Sequence, residues 1–410
     1  MNENKDGIEY LESCPSCDSE NLTVLQSEEK YKAFITGADE MIITTGVCGC
    51  EQCGLTFLNP RMGQHKLFEY YSKQSRIPRE SIEAISPLYN LMELQVDLIE
   101  KFKPIKQNMR ALEIGCAEGF FLQCLGRRAN DKLELYGVEL SKKYIEQAKK
   151  LLPNMKIYET PLEKTDFGEL QFDLVILRHV FEHLADPMEC LKKIRSILAP
   201  QGILYIEVPD SENIEPSITR FYHHEHLLYF TSEILNSCLI SAGFQPLVCE
   251  RFDANPMGSG FSYPVLRAVS VEGKSTDLST YPGYAKKNYL ENKMRNDAKI
   301  ESLLAPIRMR LRELNEIKLN IGLFGAGPHT MDLLEIFEVE NIQWAKIFDN
   351  NPSKQGKLMR GIPILKPDED NLKSLDCVLV SSAEFESEMV AQVHSLVGSQ
   401  VEVITIYANN

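Results

Sequence analysis

Three of the chain's eight histidines fall within four positions, His223-His224-Glu225-His226, beside a carboxylate and flanked by Tyr222 and Tyr229. Imidazoles next to a carboxylate suit proton abstraction near neutral pH. His226 is the first candidate for a general base, with Glu225 and His223 as its support. Tyr222, His224 and Tyr229 are then candidates to hold an acceptor molecule. Adjacent side chains on one loop rarely converge on a metal without a cysteine or a spaced partner, so the run reads as acid–base machinery. The bland alternative is that one of these side chains caps a helix beginning near Ser232.

A second constellation is metal-ligating. Cys14-Pro15-Ser16-Cys17 and Cys50-Glu51-Gln52-Cys53-Gly54 are two Cys-x-x-Cys knuckles separated by 32 residues. Four thiolates from two such knuckles can surround one Zn²⁺ tetrahedrally, and with no open position the ion would be structural. Cys48 completes no pair and reads as a spare thiol.

The third constellation binds rather than reacts. In Ala111-Leu112-Glu113-Ile114-Gly115-Cys116-Ala117-Glu118-Gly119 an apolar run ends in an acid and a glycine-spaced turn, and a second run, Leu133 to Val138, ends in Glu139. In a doubly wound sheet both turns would lie at the carboxyl ends of neighbouring strands. Glycine lets the backbone approach a ligand, and Glu139 would accept from two ribose hydroxyls. The spacing is not the Gly-x-Gly-x-x-Gly of pyrophosphate binders, which suits a nucleoside without phosphates.

These residues need a scaffold, and the pattern predicts one. Strands are expected at Arg110 to Ile114, Leu133 to Val138, Lys156 to Glu159, Phe172 to Leu177 and Gly202 to Val208. Helices are expected at Phe120 to Arg128 and Pro187 to Leu198. Alternation at this pitch implies a parallel sheet. A long charged helix should run from Tyr284 to Leu319. A further strand-turn-helix unit begins at Ile321, with Gly325-Ala326-Gly327 as its turn and Asp349 as its acid. Gly325, Gly327 and Asp349 are candidate nucleotide contacts, although Thr330 stands where a third glycine would be.

The expected class is α/β, in five segments. These are a zinc-binding module (1–65), a helical connector (66–105), a nucleoside-binding Rossmann-like domain (106–250), a linker with the long helix (251–319) and a Rossmann-like carboxyl-terminal domain (320–410). A chain of 410 residues has ample core for this. The net charge of −15 argues against a nucleic-acid polymer as partner. Met1 to Tyr10 lacks the apolar core of a signal peptide, and there is no run of about 18 apolar residues to span a bilayer. Eleven cysteines without such signals fit reduced thiols or metal ligands, hence a cytoplasmic protein. The oligomeric state is not legible.

The Glu113-Ile114-Gly115 turn resembles the first motif of class I S-adenosylmethionine-dependent methyltransferases. Arg178-His179-Val180-Phe181-Glu182-His183-Leu184-Ala185-Asp186-Pro187 resembles their Glu-His-x-x-Asp-Pro segment. The resemblance implies a donor lying on Gly115, Cys116, Ala117 and Gly119, with Glu139 and Leu140 at the ribose and Leu162 at the adenine. Arg178 and His179 would line the methionine side, and Glu182-His183 would order the following loop.

Over nearly its whole length the chain resembles the sugar C-methyltransferases acting on nucleotide-linked deoxysugars. The matching residues are the two cysteine knuckles, Glu225-His226-x-x-Tyr229-Phe230 and Asp349-x-Asn351-Pro352-x-Lys354-Gln355-Gly356. In that family a Tyr-His-Glu-His run precedes the Tyr-Phe pair and its last His is the proposed base. Here His223 replaces the tyrosine, and Pro328-His329-Thr330 departs from the usual small residue and Lys-Gly. The resemblance implies S-adenosylmethionine and one structural zinc ion as cofactors and a nucleotide-sugar as acceptor. O-methylation of a sugar or other small metabolite is the alternative. A nucleotide-binding oxidoreductase or a non-catalytic sensor is the reading from another class, disfavoured by the missing third glycine in both turns.

Overall fold

The strand Arg110–Ile114 is built from residues whose side chains are buried on both faces, and such strands belong at the centre of a parallel sheet. It lies between Phe172–Arg178 and Glu134–Val138, parallel to both. The computed structural model describes residues 6–36, 39–73, 86–254, 263–338 and 341–407. The chain divides into two units, one of Met1–Lys30, Thr44–Glu215 and Tyr222–Leu290, the other of Tyr31–Ile43, Pro216–Phe221 and Glu291–Asn410.

In the first unit the strand order is Phe244–Asp253, Pro264–Glu272, Leu198–Pro209, Phe172–Arg178, Arg110–Ile114, Glu134–Val138, Lys156–Tyr158. The last five are mutually parallel, as the alternating pattern requires. The first two are antiparallel additions, so the sheet runs past residue 250 to Glu272. Phe120–Arg128 follows the central strand and buries Phe120, Phe121, Leu122 and Leu125 against it. Each such side chain contributes about 1.5–3 kcal/mol of transfer free energy. Pro187–Ile197 starts where Asp186 caps it, accepting from Glu189 N–H at 2.9 Å with Pro187 in the first turn.

A second sheet has the order Leu228–Tyr229, Thr56–Leu58, Asp39–Cys50, Leu22–Thr36. Leu228 lies opposite Phe57 and Tyr229 opposite Thr56, so the segment after the histidine run is an edge strand on the cysteine module. Two helices, Gln64–Lys73 and Ser86–Phe102, follow that module. The expected helical periodicity from Ile82 to Phe102 lies outside the described residues for its first four positions.

The other unit has its own sheet, ordered Leu358–Met359, Ile362–Leu365, Trp344–Phe348, Ile321–Phe324, Cys377–Val380, Glu402–Ile404. All neighbours but the first pair are parallel. Leu303, Leu304, Ile307, Leu311 and Leu314, at helical spacing along Tyr284–Glu316, form one buried cluster with Ile321, Leu323 and Leu333. Among the described residues no helix is long and apolar enough to cross a membrane.

Candidate active site and cysteine cluster

The first turn is held by its neighbour strand. Gly115 N–H donates to Val138 O at 2.8 Å, and Gly115 has φ +71°. A Cβ there would run into the Val180 side chain, so both space and backbone demand glycine. Gly119, at φ +84°, closes the turn by donating to Cys116 O at 2.8 Å and precedes the Phe120–Arg128 helix. Glu139 accepts from Ala117 N–H at 3.0 Å through Oε2, and from Leu140 and Ser141 N–H at 2.8 Å through Oε1. Burial pushes its carboxyl upward, although these three donors oppose the shift.

Glu113 is fully buried, and burial raises its carboxyl to about 7 even with the Arg178 guanidinium at 3.5 Å. Its Oε2 is buried without a hydrogen-bond partner among the described residues. That acceptor fits a ligand ammonium, as does the glycine turn beside it a close-lying nucleoside. Both border a cavity of about 750 Å³, which Cys116, Ala117, Glu139, Leu140 and Leu162 also line. The size is ordinary for a small-molecule site.

The opposite wall carries the titratable groups. Arg178 and His179 end the Phe172–Arg178 strand and border the cavity. His179, at φ +52°, has Nε2 3.2 Å from Glu207 Oε1 and Nδ1 3.6 Å from Glu182 Oε1. Burial opposes its charge, yet the two carboxylates raise it to about 9. Burial likewise works against the Glu207 carboxylate. His179, Arg178 and the Gln95 amide at 2.7 and 2.8 Å nonetheless hold it down at about 2.

His223, Glu225 and His226 line the same cavity. The loop that presents them is pinned at both ends. Tyr229 Oη accepts from His223 N–H at 3.0 Å, and Leu227 N–H donates to Glu182 O at 2.8 Å. The His226 ring lies 4.1 Å from that of His223 and 4.9 Å from that of His183, centroid to centroid. Burial, reinforced by His223 and His183, keeps the His226 imidazole well below its ordinary range. Tyr70 Oη–H donates to the Glu225 carboxylate at 2.5 Å and lies 3.4 Å from His224 Nε2. Tyr222 packs its ring against Tyr229 and Tyr289, at 4.7 and 5.3 Å.

Sequence reasoning missed several groups that converge here. Tyr70 and Tyr71 come from the Gln64–Lys73 helix, and Tyr71 Oη sits 2.9 Å from His183 Nδ1. Glu182 and His183, expected to order the loop that follows them, instead contact the distant histidine loop, through the Glu182 carbonyl to Leu227 N–H and through His183 Nδ1, 2.6 Å from Glu225 O. His183 also borders the cavity. The adjacent Tyr70-Tyr71 pair was the only local hint.

At the amino-terminal module, Cys14 Sγ lies 3.6 Å from Cys53 Sγ and Cys17 Sγ 3.5 Å from Cys50 Sγ, with all four sulfurs within 4.8 Å of one another. Tetrahedral Zn–S bonds of about 2.3 Å set S–S edges of about 3.8 Å, so the four fit such an ion. Hydrogen bonding among the crowded sulfurs drives Cys14 and Cys53 up and Cys17 and Cys50 down. A dication would let all four stay ionised. Cys48 is buried and 3.8 Å from Asn59 O, outside this group.

In the other unit Gly325, φ +112°, approaches Ser381 too closely for a Cβ, and Gly327 begins the Pro328–Ile336 helix. Asp349 Oδ2 accepts from Ala326 N–H at 2.9 Å and pairs with Lys354 Nζ at 2.9 Å, while Oδ1 accepts from Asn351 N–H at 2.8 Å. Thr330 Oγ1 donates to Gly325 O at 2.6 Å, so it braces the turn from the position where a third glycine was looked for.

Comparison with known proteins agrees with this architecture. Residues 89–249 match the methyltransferase domain family, and residues 286–406 match the C-methyltransferase C-terminal domain family. A malonyl-[acyl-carrier protein] O-methyltransferase of Halalkalibacterium halodurans is 31% identical over 115 residues, 26% of this chain and 42% of the relative. A redox-sensing transcriptional repressor of Brevibacillus brevis is 40% identical over 67 residues, 16% of this chain and 31% of the relative. A solved S-adenosylmethionine-dependent methyltransferase from Aquifex aeolicus is 18% identical, with a TM-score of 0.36, covering 47% of this chain and all of that one. The chain spans between 31% and 55% of the length of the curated relatives it matches. It thus carries a class I S-adenosylmethionine-dependent methyltransferase domain, followed by a C-methyltransferase C-terminal domain.

Proposed function

We propose that the protein moves a methyl group from S-adenosylmethionine to a carbon of a nucleotide-linked ketosugar, with His226 as general base and a structural zinc ion on Cys14, Cys17, Cys50 and Cys53. The observation that carries this reading is a shared cavity. Gly115, Glu139 and Leu162, assigned to the donor, line it together with His223, Glu225 and His226, assigned to the acceptor. The match of residues 286–406 supports transfer to carbon.

The bound donor supplies a methyl group that its sulfonium makes electrophilic. The protein must then hold the acceptor in line and generate a nucleophile. His226 takes the proton from the carbon beside the carbonyl, and the freed electron pair attacks the methyl. Tyr71, whose side chain borders the cavity, would donate to the developing enolate oxygen. Glu225, held by Tyr70, supports the imidazole run from its own loop. In the other unit, Gly325, Gly327 and Asp349 form a candidate nucleotide site of their own.

The test is incubation with methyl-labelled donor and a panel of nucleotide-sugars, followed by NMR location of the new methyl. A C-linked methyl on a ketosugar is the expected product. An O-linked methyl, or methylation of a free glycan while every nucleotide-sugar fails to bind, would refute the acceptor assignment.

A further inference from the structure

The histidine run lacks a spaced metal partner in sequence, but the fold supplies one. Glu182, His183 and His226 each offer one ligand atom, and the three atoms lie within 4.8 Å of one another. Two imidazoles and one carboxylate are a common ligand set for Zn²⁺ and its neighbours in the first transition row, leaving open positions on the ion.

Two observations show that this group wants a cation. Glu182 is 1% exposed, and both of its carboxylate oxygens are buried without a hydrogen-bond partner among the described residues. The nearest positive candidates are imidazoles, at 3.6 Å for His179 Nδ1 and 3.7 Å for His183 Nε2. His179 is shared with a second buried carboxylate, Glu207, to which it lies closer, at 3.2 Å. The second observation is the tautomer of His183. Its Nδ1 lies 2.6 Å from the Glu225 carbonyl, which can only accept, and 2.9 Å from the Tyr71 hydroxyl, which can accept as well, so Nδ1 carries the proton. Nε2 then presents a lone pair toward the Glu182 carboxylate. With a neutral imidazole, two electron-rich atoms 3.7 Å apart then face each other across a gap that a cation would fill. A ring nitrogen donating to a carbonyl while the other faces the metal is the usual second contact of a ligating histidine.

The His223 ring lies 4.1 Å from that of His226, centroid to centroid, so the site is flanked by a third imidazole.

We propose that Glu182, His183 and His226 form a second metal site, for a divalent cation of the Zn²⁺ type, and that filling it inhibits methyl transfer. The inhibitory half rests on the reading of His226 as the base. A cation on its imidazole takes the lone pair that would accept the acceptor's proton, so metal and proton transfer are exclusive. The binding half does not depend on that reading.

The experiment is calorimetric titration of ZnCl₂ into the full chain carrying its cysteine-bound metal, compared with Glu182→Gln and His183→Ala. One further equivalent is expected to bind to the wild type, at least 10-fold more weakly to either variant. Retained S-adenosylhomocysteine binding shows that each variant is folded. No further equivalent, or equal affinity in both folded variants, overturns the site. Methyl transfer measured across the same titration is expected to fall as the second equivalent binds. Activity that rises instead overturns the inhibitory half while leaving the site standing. Failure of the metal-free site to support transfer to any acceptor refutes the proposed function without touching the binding result.

Discussion

The Glu139 carboxylate accepts the backbone N–H of Ala117 at 3.0 Å, so the acid closing one strand holds the glycine turn that closes its neighbour. Asp349 does the same for Ala326 at 2.9 Å in the other unit. Each acid therefore has two tasks, fixing a turn and facing whatever lies over it. Glu139→Ala removes the proposed ribose acceptor and loosens the turn together. Donor binding is expected to weaken by about 1–3 kcal/mol, roughly 5–150-fold, in calorimetry with S-adenosylhomocysteine. Unchanged affinity would exclude Glu139 from the donor site.

Gly115→Ala should be worse than the loss of a single hydrogen bond. The added methyl meets Val180 and is forced into a left-handed conformation, at a cost of about 1–3 kcal/mol before any ligand binds. Donor binding should disappear while the circular dichroism of the chain persists. Wild-type affinity would show that the turn does not approach the donor.

His226→Ala is expected to slow methyl transfer about 10²–10⁴-fold with little change in donor affinity. Tyr70→Phe removes the donor to Glu225 and should give a smaller loss. Near-normal turnover of His226→Ala would move the base elsewhere in the cluster.

One zinc ion per chain is expected at the four cysteines, seen by elemental analysis of protein purified without added metal. Cys53→Ser should lower both its content and the thermal midpoint. A chain free of zinc yet equally stable would leave the cysteines as small apolar residues.

His329 offers a pH test confined to the second unit. Burial pushes its imidazole down to about 4, against about 6.5 in an unfolded chain. Its Nδ1 lies 2.9 Å from Ser381 Oγ and its Nε2 2.7 Å from Tyr407 Oη. The unfolded chain binds the proton first, so this stabilisation is complete above pH 6.5 and is lost as pH falls from 6.5 toward 4. The ring is only half-buried, so a loss of roughly 1–3 kcal/mol is expected. Hydrogen exchange of residues 320–407 at pH 7.5 and 5 would register it, and His329→Gln should flatten the difference. An equal pH response in both proteins would assign the effect to other groups.

Local pattern carried much of this architecture. Arg110–Ile114 and Phe172–Arg178 are short apolar runs ending in polar residues, and such runs announce buried parallel strands. Phe244–Asp253 mixes charge with apolar residues because it is a half-exposed edge strand, and its antiparallel pairing was not legible. The cysteine knuckles could be read because each places two ligands three positions apart in the chain. The meeting of Glu182-His183 with His226 could not, since a short helical turn and a loop bring together residues that no spacing relates. Tyr70 and Tyr71 were hidden for the same reason, inside what read as a polar connector.

The pairing of Leu228 with Phe57 joins positions about 170 residues apart. Contacts of such separation form late, after the intervening loop has been closed at an entropic cost. During synthesis the glycine turn at Gly115 emerges long before Leu228 leaves the ribosome. The edge strand that follows the histidine run then docks onto Thr56–Leu58 of the cysteine module. Assembly order thus brings the histidine run to the cavity only once most of the first unit has been made.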